Sequence, residues 1–103
     1  MAARRKHEVR YLPAAEGDLL ELYRWILEDS ASRAEAFLAD LDKRIGTLAR
    51  HPELGRVPRN PKLREAGYRV LTVESYLIFY VVRGRLVEIH CAIHGSRNLD
   101  EVL

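Results

Sequence analysis

Cysteine is nearly absent from this chain of 103 residues: Cys91 is alone. An intramolecular disulfide is therefore excluded, and a lone thiol inside an apolar run reads as a small buried side chain. Long hydrophobic runs are missing too, since no stretch approaches the ~20 apolar residues of a membrane span. Arg4-Arg5-Lys6 is not followed by an apolar signal region, so secretion is not expected and the cytoplasm is the expected location. His7, His51, His90 and His94 show no metal-ligand spacing with one another or with Cys91. His90 and His94 are four apart, a spacing that gathers ligands on a helix but not along a strand. Neither Ser75 nor Ser96 lies in a nucleophile motif, and no Gly-rich loop could cradle a phosphate. No metal or cofactor is expected.

What is present suits one domain over residues 1–103, with residues 1–6 a flexible leader and 98–103 a short tail. The formal net charge is only +2, but it is unevenly placed. Arg56, Arg59, Lys62, Arg64, Arg69, Arg83, Arg85 and Arg97 face only Glu65, Glu74 and Glu88 in the same stretch. Such asymmetry permits an anionic partner, and a solvated basic surface is the plainer reading.

The stretch from Tyr68 to Arg97 reads as consecutive strands. Tyr68–Glu74 and Tyr76–Arg83 are rich in β-branched and aromatic residues, Arg83-Gly84-Arg85 is a turn, and Leu86–Ile93 leads out again. The run ends in His94-Gly95-Ser96-Arg97. Upstream, His7–Tyr11 alternates as a short half-buried strand, and Pro13 suits the first turn of a helix. Leu19, Leu22, Tyr23, Ile26 and Leu27 make a helical stripe from Ala14 to about Glu28. Asp29, Ser30 and Ser32 each offer a helix cap, Ser32 with Glu35 as a capping box. A second stripe follows, through Ala34, Phe37, Leu38, Leu41, Ile45, Leu48 and Ala49, and ends before Pro52. Two amphipathic helices joined by so short a turn predict an antiparallel hairpin. Residues 51–67 form a loop punctuated by Pro52, Gly55, Pro58, Pro61 and Gly67.

Alternation puts Leu77, Phe79 and Val81 on one face of the third strand and Tyr76, Ile78, Tyr80 and Val82 on the other. Both sets are apolar, so that strand is expected to be central and covered twice. The same rule puts Val87, Ile89, Cys91 and Ile93 together on one face of the last strand. The hairpin covers one face only. An aromatic face left open on a small chain marks a binding site, so a partner chain is expected to cover it, unless the Pro-rich loop or the tail folds over instead. Trp25 lies beside the first stripe; packing at the core rim is the plain reading, partner contact the sharper one.

Strand, helical hairpin, Pro/Gly loop and three strands, in that order, resemble the RelE/ParE superfamily of type II toxin–antitoxin toxins. The resemblance runs from about Val9 to Arg97. It rests on Asp18-Leu19 with Tyr23 and Ile26, on Ala34, Phe37 and Leu41, and on Pro52 through Gly55-Arg56. Tyr68-Arg69, Tyr76 to Tyr80 and His94-Gly95-Ser96-Arg97 complete it. It implies an α+β fold with an N-terminal strand, an antiparallel helical hairpin and about three antiparallel strands in one sheet. Of the two activities in the superfamily, it implies the ParE-like one, inhibition of DNA gyrase by binding. The RelE-like alternative is ribosome-dependent cleavage of messenger RNA, and an inactive antitoxin-binding module is a further one. RelE-like nucleases carry a basic residue on the strand matching Tyr76–Val82, where this chain has Leu77, and some end in Tyr where this chain ends Val102-Leu103. Arg69, His94 and Arg97 are what remains for a nuclease, so no catalytic residue is assigned. The implied target-binding residues are Arg56, Arg59, Arg64, Arg69, His94 and Arg97. A ParD-like antitoxin is the expected partner in a hetero-oligomer, its tail anchored at Trp25 or on the Tyr76, Ile78 and Tyr80 face.

Overall fold

The computed structural model describes residues 6–95; residues 1–5 of the expected leader, the expected tail, Ser96 and Arg97 lie outside the described residues. The elements run β1 (Glu8–Tyr11), α1 (Pro13–Asp29), α2 (Ala31–Leu48), α3 (Pro61–Glu65), β2 (Tyr68–Val73), β3 (Tyr76–Arg83) and β4 (Leu86–His94). Pro13 opens α1, where a missing N–H costs nothing. Ser30 separates the two helices: its N–H reaches the Ile26 carbonyl, and its hydroxyl accepts from Arg33 N at 3.2 Å. Of the three caps the sequence offers, Ser30 is the one used.

One sheet has the order β1-β4-β3-β2. β2, β3 and β4 are antiparallel neighbours, while β1 lies parallel to β4, pairing Glu8–Tyr11 with Leu86–Ile89. The sheet is therefore mixed, and not antiparallel throughout. Parallel neighbours need a crossover of a dozen or more residues, and the helical hairpin between β1 and β2 begins that connection.

The hairpin packs on one face of the sheet. Ala15, Ile26, Ala34, Phe37, Leu41, Ile45 and Leu48 meet Leu71, Val73, Tyr76, Ile78, Tyr80, Val87, Ile89 and Ala92. The opposite face carries a smaller apolar cluster of Val70, Leu77, Phe79 and Ile93, joined by Leu63 of α3. The expectation that the Tyr76, Ile78 and Tyr80 face stands open is thus corrected. These residues are 5%, 0% and 0% exposed beneath the hairpin, and the Pro-rich loop supplies cover for the other face.

A second correction concerns β4. The ladder pairs Phe79 with Cys91 but Tyr80 with Ile89, leaving His90 as an extra, bulged residue. One inserted residue reverses the alternation beyond it. Val87 and Ile89 face the hairpin, but Cys91 and Ile93 face away, with Ala92 turned inward.

Candidate functional site

Three local constructions stand out, and they occupy different parts of the sheet. The first is the loop before β2. Tyr80 reaches out of the core so that its hydroxyl donates to the Pro52 carbonyl and accepts from Gly55 N, both at 2.7 Å. Burial pushes the Tyr80 phenol above its ordinary value, which keeps that O–H a donor. Arg69 Nη1 donates to the Glu53 and Gly55 carbonyls at 3.2 and 2.8 Å. Arg56 and Val70 exchange backbone bonds, extending the sheet past β2 by one bridge. Gly55 is required by close approach: a Cβ there would lie 2.6 Å from the Tyr80 hydroxyl and 2.9 Å from the Val70 carbonyl oxygen. Asn60 then caps α3 through its side-chain oxygen, which accepts from Lys62 N and Leu63 N at 2.9 and 3.3 Å.

This places Arg69 as the anchor of the loop. Arg56, Arg59 and Arg64 are exposed on the loop it holds. His94 pairs with Tyr76 and Arg69 with Tyr80, so the two are four residues apart along β3, about 13 Å at ~3.3 Å per residue, and on strands either side of it. The structure does not bring Arg69 and His94 together, and Arg97 lies outside the described residues. The minimal nuclease set of Arg69, His94 and Arg97 is not assembled by what is described.

The second construction is a cleft around Trp25, where the end of β4 passes α1. Trp25 is 61% exposed, so the packing role at the core rim is not what it does. It overhangs a cleft of about 330 Å³ bordered by Arg33 and Phe37 of α2, the Glu74-Ser75 turn, Tyr76 and His94. On its other side a groove of about 500 Å³ runs along Asp18, Glu21, Leu22, Ala92, Ile93 and His94. β1 pairs with β4 only as far as Ile89, and beyond it α1 takes over the edge: Ala92 N donates to Asp18 Oδ2 at 3.1 Å. His94 stands edge-on to Tyr76, ring centroids 5.4 Å apart. Of the expected antitoxin-binding residues, Trp25 and Tyr76 line this cleft, whereas Ile78 and Tyr80 belong to the interior.

The third was not visible in the sequence. On the face away from the hairpin, Arg83 Nε donates to Glu88 Oε1 at 2.8 Å, and His90 Nε2 lies 3.3 Å from the same oxygen. The Tyr68 hydroxyl is 3.0 Å from His90 Nδ1, the rings edge to face. In the tautomer that gives Nε2–H to Glu88, Nδ1 of His90 accepts a hydrogen bond from the Tyr68 hydroxyl. Hydrogen bonds from His90 and Arg83 hold the Glu88 carboxyl below its ordinary value, and burial, with the neighbouring Cys91, raises the Tyr68 phenol. Glu88 and His90 share the face away from the hairpin by simple alternation, and Tyr68 stands on the same face across β3. The bulge has no sequence mark. Among the described residues no group of His, Cys, Asp and Glu could hold a metal ion, and no helix is long and apolar enough to cross a membrane.

The fold, a helical hairpin on a β1-β4-β3-β2 sheet with a tethered loop, is that of RelE/ParE superfamily toxins. Among solved structures it is similar to the chromosomal ParDE toxin–antitoxin system of P. aeruginosa. There the TM-score is 0.67 at 19% identity, over 86% of this chain and 96% of that one. It is also similar to the RelBE2 toxin–antitoxin complex of Mycobacterium tuberculosis, with TM-score 0.62 and 25% identity over 86% and 98%. No curated protein matches the sequence. The particular family follows from the sequence match: residues 9–99 fit the ParE toxin of the type II toxin–antitoxin system parDE. The chain belongs to the ParE toxin family.

Proposed function

We propose that this chain is a toxin that inhibits DNA gyrase by binding and is neutralised by a ParD-like antitoxin. The observation that carries the reading is the sheet face opposite the hairpin. There Val70, Leu77, Phe79 and Ile93 are buried with Leu63 in an apolar cluster. A metal-independent nuclease needs a base, an acid and phosphate-binding cations converging on one accessible spot. Here Leu77 fills the strand position, Arg69 is spent on loop carbonyls, and His94 borders a different cleft. A protein that acts by binding needs none of that convergence. The proposed target surface is the loop bearing Arg56, Arg59 and Arg64, with Arg97. The proposed antitoxin seat is the cleft beneath Trp25, where His94 and Tyr76 lie.

The test is a supercoiling assay with purified toxin and gyrase, with Arg97→Ala and Arg59→Glu as variants. Loss of supercoiling that the variants relieve supports the reading; full supercoiling at saturating toxin overturns it. The likeness to RelBE2 favours a second reading, ribosome-dependent cleavage of messenger RNA. Cut transcripts in arrested cells, with gyrase unaffected, would establish that one. Harmless overexpression would leave an antitoxin-binding module without a target.

A further inference from the structure

The backbone of residues 52–63 is held from below at every few residues: by Tyr80 at Pro52 and Gly55, by Arg69 at Glu53 and Gly55, by Val70 at Arg56, by the Asn60 cap, and by buried Pro58 and Leu63. Its outward side chains are not held. Leu54 and Val57 are 48% and 46% exposed. Arg56, Arg59, Lys62 and Arg64 are exposed, and among the described residues their side chains make no hydrogen bond or ion pair. Arg24, Lys43 and Arg50 are likewise without a partner among the described residues, but they are scattered over the helices and the turn after them, whereas four other arginines are paired. Arg33 pairs with Asp29, Arg44 with Asp40, Arg10 with Glu8 and Arg83 with Glu88. Glu53 and Glu65, the acids within this stretch of sequence, form no salt bridge with them among the described residues.

A fixed frame presenting unpaired cations is a preorganised surface: the ordering cost of its backbone is met by folding and not by binding. The interleaving of two apolar side chains with arginines indicates which anion it fits. Phosphate backbones are gripped by cations, with aromatic platforms where bases are unstacked, and residues 51–67 contain no aromatic. Apolar residues among arginines are the make-up of a protein interface. We propose that Leu54, Arg56, Val57, Arg59, Lys62 and Arg64 form a docking surface for an acidic protein surface with an apolar centre, and not for a nucleic-acid backbone. This rests on the toxin reading only for the partner's identity, which would be the target and not the antitoxin.

Two probes keep the surface and the gyrase reading apart. Amide NMR of the full chain is titrated with a short peptide of alternating Glu and Leu, and separately with a short DNA duplex. The expected result is shifts confined to residues 54–64 with the peptide. The double reversal Arg56→Glu/Arg59→Glu should weaken them by about tenfold or more, and added salt should weaken them further. Leu54→Ala should weaken them with an unchanged salt dependence, and Arg24→Glu, an exposed charge on α1, should have no effect. Equal or tighter binding of the duplex at these amides overturns the proposal, as does peptide binding that survives the double reversal or no shift here with either probe. Capture of gyrase by wild type and the double reversal then reads the identity alone. Absence of capture by wild type rejects gyrase as the partner without touching the peptide result.

Discussion

Tyr80 does two things at opposite ends of one side chain. Its ring is fully buried among the hairpin residues, and its hydroxyl closes the loop through Pro52 and Gly55. Phenylalanine would keep the ring and orphan the Gly55 N–H, so Tyr80→Phe is expected to cost about 1–3 kcal/mol. The loss should appear as a lowered denaturation midpoint and as faster hydrogen exchange near Gly55. A loop that stays protected would show that the phenol is not its tether. Gly55→Ala fails for a different reason, since the Val70 carbonyl oxygen at 2.9 Å is backbone and cannot yield. Cys91 is the other informative single residue. Burial, with the Asp18 carboxylate adding to it, pushes its thiol up to about 11. The thiolate is the reactive form, so alkylation by iodoacetamide should be slow at neutral pH and quicken as pH rises toward that value. Rapid native-state labelling at neutral pH would contradict this.

At the scale of elements, the hairpin is plain in the sequence because both helices carry long stripes with a cap between them. The positions of Pro13 and Pro52 bracket it well. β2 and β3 follow from β-branched and aromatic runs. Three features were not legible, each for a physical reason. α3 is a single short turn of helix, too brief to show periodicity, although Asn60-Pro61 is a cap followed by proline at the first helical position. The parallel partnership of β1 is a long-range choice that local pattern does not encode. The bulge at His90 depends on register alone, and local pattern does not give the β2-β3-β4 pairing that sets Tyr68 across from Glu88 and His90. That element makes a prediction about acid. A carboxyl held below its ordinary value contributes stability in full above the ordinary value of 4.5, and loses it as pH falls through the lower folded value. Glu88→Gln should therefore melt below wild type at neutral pH, and the gap should close as pH drops below 4.5. A gap that stays constant into acid would mean that the Arg83–Glu88–His90 contacts carry no linkage.

For the whole molecule, the main lesson is self-sufficiency on both faces of the sheet. Two apolar faces in β3 suggested a missing partner, yet the hairpin and the loop divide the covering between them. The two proposed partner surfaces are peripheral: the Trp25 cleft where α1 meets the end of β4, and the cationic loop along the β2 edge. The candidate residues fall into these two places with little overlap. Charge alone singles out Arg56, Arg59 and Arg64 as candidates, and its place off the stripe singles out Trp25, while the structural duty of Arg69 needed the fold. Because Trp25 is mostly exposed, Trp25→Ala should change stability by no more than about 0.5 kcal/mol. Under the proposed antitoxin seat it should weaken antitoxin binding by about 2 kcal/mol or more, read by calorimetry. An unchanged affinity would move the seat elsewhere.

The parallel alliance of β1 with β4 also governs when the molecule comes into being. Residues made first wait for residues made near the end, because the Leu12 N–H and the Ile89 carbonyl that it bonds are separated by nearly the whole domain. Contacts of such sequence separation are slow to form and reward the chain late. A growing polypeptide can wind its two helices early, but β1 has no sheet partner and the Trp25 cleft no His94 until β4 has been translated. A ribosome that stops short of it releases a product without the His94 side of the Trp25 cleft.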